Sequence, residues 1–96
     1  MSAYVVTEID WHDQAKAKEY RDKFSPVLEK FGGKTVAVGP PEVLEGNWKP
    51  PRVVVLEFPT KAAVHAWYAS PEYAPILKLR LEGAKTNLIV VESAPG

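Results

Sequence analysis

The hydrophobic positions along the chain recur with two different periods, and the changes between them predict its elements. Residues 3–9, rich in β-branched and aromatic side chains (Tyr4, Val5, Val6, Ile9), read as a first strand. Asp13 then stands where a helix cap belongs. Behind it Ala17, Tyr20, Phe24, Val27, Leu28 and Phe31 repeat at helical spacing, with Lys16, Lys18, Glu19, Asp22, Lys23, Glu29 and Lys30 opposite. Pro26 removes one amide from this helix and is expected to kink it near Ser25. Gly32-Gly33 ends it, since glycine takes the left-handed conformation freely.

Residues 34–38 form a short second strand that Gly39-Pro40-Pro41 breaks and that residues 42–45 are expected to resume. A turn bearing Trp48 follows. Residues 52–58, Arg-Val-Val-Val-Leu-Glu-Phe, make the clearest strand, apolar on both alternating faces, so both faces must be covered. Thr60 caps a helix over residues 61–69, where Ala63, Ala66 and Trp67 share a side and Trp67 belongs to the core. Ser70-Pro71 opens a turn to Ala74. A last helix spans about 75–82, residues 86–92 are the final strand, and residues 93–96 are a tail.

This order, β-α-β-β-α-β, predicts an α+β, ferredoxin-like sandwich: a four-stranded antiparallel sheet with its helices on one face. The chain, residues 1–96, is expected to be a single domain. With 46% hydrophobic residues, three tryptophans and no cysteine, it holds more apolar surface than so short a chain hides. A second copy covering the open sheet face, giving a homodimer in the form of a dimeric α+β barrel, is the economical solution.

Composition narrows the function. Twelve basic and twelve acidic side chains cancel, which argues against a nucleic-acid partner. No apolar run is long enough for a membrane span, and the first residues lack a secretory pattern. The absence of cysteine excludes a disulfide framework and thiolate chemistry and fits a cytoplasmic protein. His12 and His65 are the only imidazoles, no metal-ligand spacing surrounds them, and neither a metal nor a cofactor is expected. No phosphate-binding loop occurs. Ser25 and Ser70 read as helix caps.

The shared pattern Gly32-Gly33, Glu45-Gly46 followed by Trp48, Glu57-Phe58-Pro59, Ala66-Trp67-Tyr68, Ser70-Pro71-Glu72-Tyr73 and Arg80 resembles the domain-of-unknown-function family DUF1330 over nearly the whole chain. The resemblance implies a dimeric α+β barrel, in a superfamily that also holds small monooxygenases, muconolactone isomerases and haem-handling proteins. It implies no activity, and fold analogy supplies none. Haem ligation by His65 would rest on that analogy alone.

The candidate ligand-binding residues are Arg80, Tyr68, Tyr73, Glu57 and Glu8, placed at a cleft between helices and sheet that the Pro26 kink and the Ser70-Pro71 break would open. Arg80 would hold a ligand carboxylate, unless it pairs structurally with Glu45 or Glu57. Glu8, Glu57 and Glu92 each lie near a strand end, and one of them, desolvated, would serve as general base, with Glu57 or Glu8 reaching the cleft; the ordinary alternative is a hydrogen-bonded surface carboxylate. No catalytic residue is assigned. Two functions follow. One is binding of a small anionic or aromatic metabolite, extending to a cofactor-free isomerase or monooxygenase-like enzyme. The other is a non-catalytic dimeric binding or regulatory protein.

Overall fold

The computed structural model describes residues 2–95; Met1 of the first segment and Gly96 of the tail lie outside the described residues. The elements are β1 (Ala3–Trp11), α1 (Gln14–Lys30), β2 (Lys34–Gly39), β3 (Val53–Phe58), α2 (Lys61–Tyr68), α3 (Ala74–Gly83) and β4 (Ala84–Glu92). The strands form one antiparallel sheet in the order β2-β3-β1-β4. The whole is a slab of 38 × 38 × 16 Å, one layer of sheet and one of helices.

Local chemistry sets the boundaries. The Asp13 carboxylate accepts the Lys16 amide at 3.1 Å, and the Thr60 hydroxyl accepts the Ala63 amide at 3.0 Å, each satisfying a free donor of a first helical turn. At the end of α1, Gly32 turns left-handed (φ 80°) while the amides of Gly32 and Gly33 donate back to Glu29 and Leu28, a Schellman closure. Gly33 has a separate reason to be glycine. A Cβ there would stand 2.6 Å from Leu28 Cδ1 and 2.8 Å from the Phe58 ring. In the turn before α3, Ser70 Oγ donates to the Trp67 carbonyl at 2.9 Å and accepts the Tyr73 amide at 3.1 Å.

The strand periodicity divides the sheet cleanly. Ala3, Val5, Thr7 and Ile9 of β1, with Leu56 and Phe58 of β3, face the helices and are buried. Cross-strand pairing puts Tyr4, Val6, Glu8, Val53, Val55, Glu57, Asn87, Ile89 and Val91 on the outer face. Rings fill the inner layer: Trp67 lies 4.4 Å from Tyr73 and 5.3 Å from Phe58, centroid to centroid, and is 1% exposed.

Three expectations need correction. Residues 40–52 form no further strand; they are a loop whose Val43, Leu44 and Trp48 lie beside Val6 and Val53 of the outer face. Pro40, Pro41, Pro50 and Pro51 withhold the amides that a ladder would need. Helix α1 runs unbroken through Pro26. Ser25 is accordingly a mid-helix residue and caps nothing. On α2 it is Val64, one turn before Trp67, that is fully buried, with Ala63 only partly so.

Candidate functional site

A cavity of about 290 Å³ lies between the helices and the inner face of the sheet. Its floor is sheet: Thr7, Ile9, Val54, Leu56 and Leu88. Its roof is Tyr20, Phe24 and Ser25 of α1 with Trp67 of α2, and Arg80 enters from α3.

Arg80 reaches this place because Ile76, Arg80 and Gly83 share the buried stripe of α3. The residue is 2% exposed. Its Nε has no hydrogen-bond partner among the described protein groups, and no carboxylate pairs with it in any ion pair of the described residues. The indole N–H of Trp67, which lines the same cavity, is likewise without a partner. Two buried donors on one cavity await an acceptor. No acidic side chain is among its lining residues.

Beside Arg80 stands a pair of phenols. The Tyr20 and Tyr73 hydroxyls are 2.6 Å apart, with Tyr20 on the cavity and Tyr73 fully buried behind it. Burial, and then the neighbouring Tyr73, push the Tyr20 hydroxyl up from its ordinary value, while the Arg80 guanidinium pulls only partly against them. Burial likewise raises Tyr73 against the opposing Arg80 charge. Both phenols therefore keep their protons near neutrality. One hydroxyl donates to the other, and when Tyr73 is that donor the Tyr20 hydrogen is free to point into the cavity. The arrangement is a donor cluster: guanidinium, phenol and indole around one apolar space.

The other candidate residues lie elsewhere. Tyr68 is 41% exposed and borders a separate surface groove between α2, α3 and β4, where His65, Leu81 and Asn87 also lie; Arg80 and Leu88 border both spaces. Glu8 and Glu57 are on the outer face, across the sheet from the cavity, because even-numbered positions of β1 and their partners on β3 point away from the helices. Glu8 accepts from Trp48 Nε1 at 3.1 Å and from the Asn87 amide. Glu57 accepts from the Tyr4 hydroxyl at 3.2 Å and sits 3.4 Å from Lys34 Nζ. Partial burial acts to raise the Glu57 carboxyl, but Lys34 and Tyr4 outweigh it and leave it below the usual value. That direction is the reverse of what a general base needs, so the expectation of a strand-end carboxylate meeting Arg80 is corrected.

Sequence reasoning missed Tyr20, Arg21, Ser25 and Arg52 as cavity residues. Tyr20 carried a signal, since it belongs to the apolar stripe of α1 with Ala17, Phe24 and Leu28, and Arg21 and Ser25 lie at the edge of that stripe. Among the described residues, no group of three His, Cys, Asp or Glu side chains is placed to hold a metal ion, and no helix is long and apolar enough to cross a membrane.

The fold has known counterparts. A protein of unknown function from Rhodopseudomonas palustris superposes with a TM-score of 0.80 at 21% identity, over 99% of this chain and 84% of the other. SnoaB, a cofactor-independent oxygenase from Streptomyces nogalater, gives 0.71 at 11% identity, over 99% and 95%. A dimeric ferredoxin-like protein of unknown function from a Jannaschia species gives 0.67 at 12%, over 97% and 100%. At such identities the likeness is one of fold alone. The chain matches none of the curated proteins by sequence. The model of the family Domain of unknown function (DUF1330) matches residues 2–94, and the chain belongs to that family.

Proposed function

We propose that this protein binds a small anionic metabolite with a flat apolar or aromatic body in the helix–sheet cavity, without a cofactor, and does so as a cytoplasmic homodimer. The observation that carries the reading is Arg80, 2% exposed, unpaired, and bordering a cavity that no acidic residue lines. A buried cation without a counter-charge is costly, and an entering anion relieves that cost. Phe24, Trp67 and Leu88 supply apolar walls, so the ligand joins an anionic group to an apolar body.

The dimer is supported by the outer face, where Ile89 and Val91 are 58% and 47% exposed, and by fold relatives described as dimeric. The lack of cysteine suits a reducing compartment.

A second reading, turnover, draws on the same donors. Arg80 and a protonated Tyr20 would stabilise an enolate or phenolate developing on the bound ligand. No carboxylate base supports it, since Glu8 and Glu57 lie across the sheet, so binding without turnover is favoured. The likeness to the Streptomyces oxygenase adds the fold and nothing more.

Calorimetric titration with a panel of cinnamates and naphthoates tests binding. An acid from the panel is expected to bind about 10–100 times more tightly than its carboxamide, the range of hydrogen bonds to a charged group, and Arg80→Gln is expected to abolish that difference. Failure of every acid to bind, or equal affinity for acid and amide, removes the reading.

A further inference from the structure

The chain has three arginines, Arg21, Arg52 and Arg80, and all three border the one cavity. No lysine and no acidic residue does so, although the chain as a whole is neutral. The three come from different elements: the middle of α1, the residue before β3, and α3. Arg80 is buried, between this cavity and the surface groove beside Tyr68, whereas Arg21 and Arg52 are exposed and border the cavity from the solvent side. Among the described residues neither exposed arginine takes part in an ion pair. Phe24 and Trp67, apolar and aromatic, line the same cavity.

We infer that the cavity selects an elongated dicarboxylate, with one carboxylate on Arg80, a flat apolar body against Phe24 and Trp67, and the second carboxylate held by Arg21 and Arg52 at the opening. This rests on the binding reading above and sharpens it from an anion to a ligand charged at both ends. The residue type fits the task. A guanidinium presents a planar fork that matches a carboxylate and stacks on rings, which an ammonium does not. Two free cations around one opening also repel each other, and an anion between them removes that repulsion. The volume of about 290 Å³ admits a single-ring acid with a short unsaturated arm.

The test uses two probes of nearly equal shape, 4-methylcinnamate and 4-carboxycinnamate, with the intact protein. At low salt the diacid is expected to bind about tenfold more tightly, as two exposed ion pairs at the upper end of their usual range allow. That advantage is expected to shrink steeply between 20 mM and 500 mM salt, because the exposed pair is screened while Arg80 is not. In the double variant Arg21→Gln/Arg52→Gln, the two probes should bind equally. Both positions are exposed, and circular dichroism verifies the fold. If 4-methylcinnamate binds through Arg80 but the diacid gains nothing, the two-ended site is overturned while the anion-binding reading stands. A diacid preference that survives the double variant also overturns it. If neither probe binds the wild type, the anion-binding reading fails and takes this inference with it.

Discussion

The two faces of the sheet are made from the same strands, one residue out of step, and have opposite characters. The helix side is closed by the chain's own rings: Trp67 and Tyr73 are 1% and 0% exposed. Its polar groups are few, buried and partly without partners, namely Arg80 Nε and Trp67 Nε1. On the other side the polar groups are paired (Glu8 with Trp48 and Asn87, Glu57 with Tyr4 and Lys34), while Ile89 and Val91 are left open. Unmet polar demand marks a place for a ligand; unmet apolar demand marks a place for another protein surface. One strand serves both, since β1 sends Thr7 to the cavity and Val6 outward.

The comparison breaks most easily at Trp67. Trp67→Ala on the helix side is expected to cost about 3–5 kcal/mol, the usual range for a buried large aromatic, read as the shift in urea midpoint. An unchanged midpoint would mean that the rings do not carry this face. On the outer side, Val55→Asp puts a carboxylate at the centre of the apolar face, between Val6 and Ala37. Its desolvation on association, about 1–3 kcal/mol or more per copy, should turn a particle of twice 10.6 kDa into a folded monomer. Sedimentation separates the outcomes. A wild type that is already monomeric removes the dimer, and a variant that stays dimeric moves the contact off this face.

The helix side was legible in the sequence because its determinants are local. Stripe positions on α1, the Asp13 and Thr60 caps and the Gly32-Gly33 end all predict structure from residues a few positions apart. Arg80 was singled out through its family pattern, and the buried stripe of α3 carries it to the border of the cavity. What failed depended on register. Glu57 lies next to the end of β3 as expected, whereas β1 runs on past Glu8 to Trp11; for both, one residue decides the face, and pairing fixed them outward. Arg21 and Arg52 were not singled out, because nothing nearby in sequence tells that α1 and the start of β3 border one cavity. The 42–45 segment holds the β-favouring pair Val43-Leu44, and the prolines at 40, 41, 50 and 51 around it withhold the amides of a ladder.

The same substitution made on each side sharpens the contrast at a smaller scale. Tyr20→Phe strips the Tyr73 hydroxyl of its buried partner, with an expected loss of about 1–3 kcal/mol. Tyr4→Phe removes a hydroxyl from a carboxylate that keeps Lys34 and stands near water, and should change stability by less than about 0.5 kcal/mol. Thermal or urea denaturation of the two variants under one condition measures the ratio. Equal losses would mean that the two faces are alike in dielectric environment, against the burial pattern.

The smallest effect is one of acid. The Glu57 carboxyl lies below its ordinary value of 4.5 in the folded chain, because Lys34 and Tyr4 outweigh the partial burial that would raise it. A carboxyl with a depressed folded value binds fewer protons folded than unfolded. Its contribution is therefore fully present above about the unfolded value and is lost as pH falls through the folded one. The phenols facing the cavity keep their protons throughout this range, since both are raised from 10.0, and so contribute nothing to the slope. Urea midpoints taken from pH 6 downward should fall through the acid range, and Glu57→Gln should flatten part of that fall. The exposed Lys34 pair keeps the difference small and salt-sensitive. A variant that parallels the parent across the whole range would show that the outer face's ion pair does nothing for the fold, and that only its apolar residues matter there.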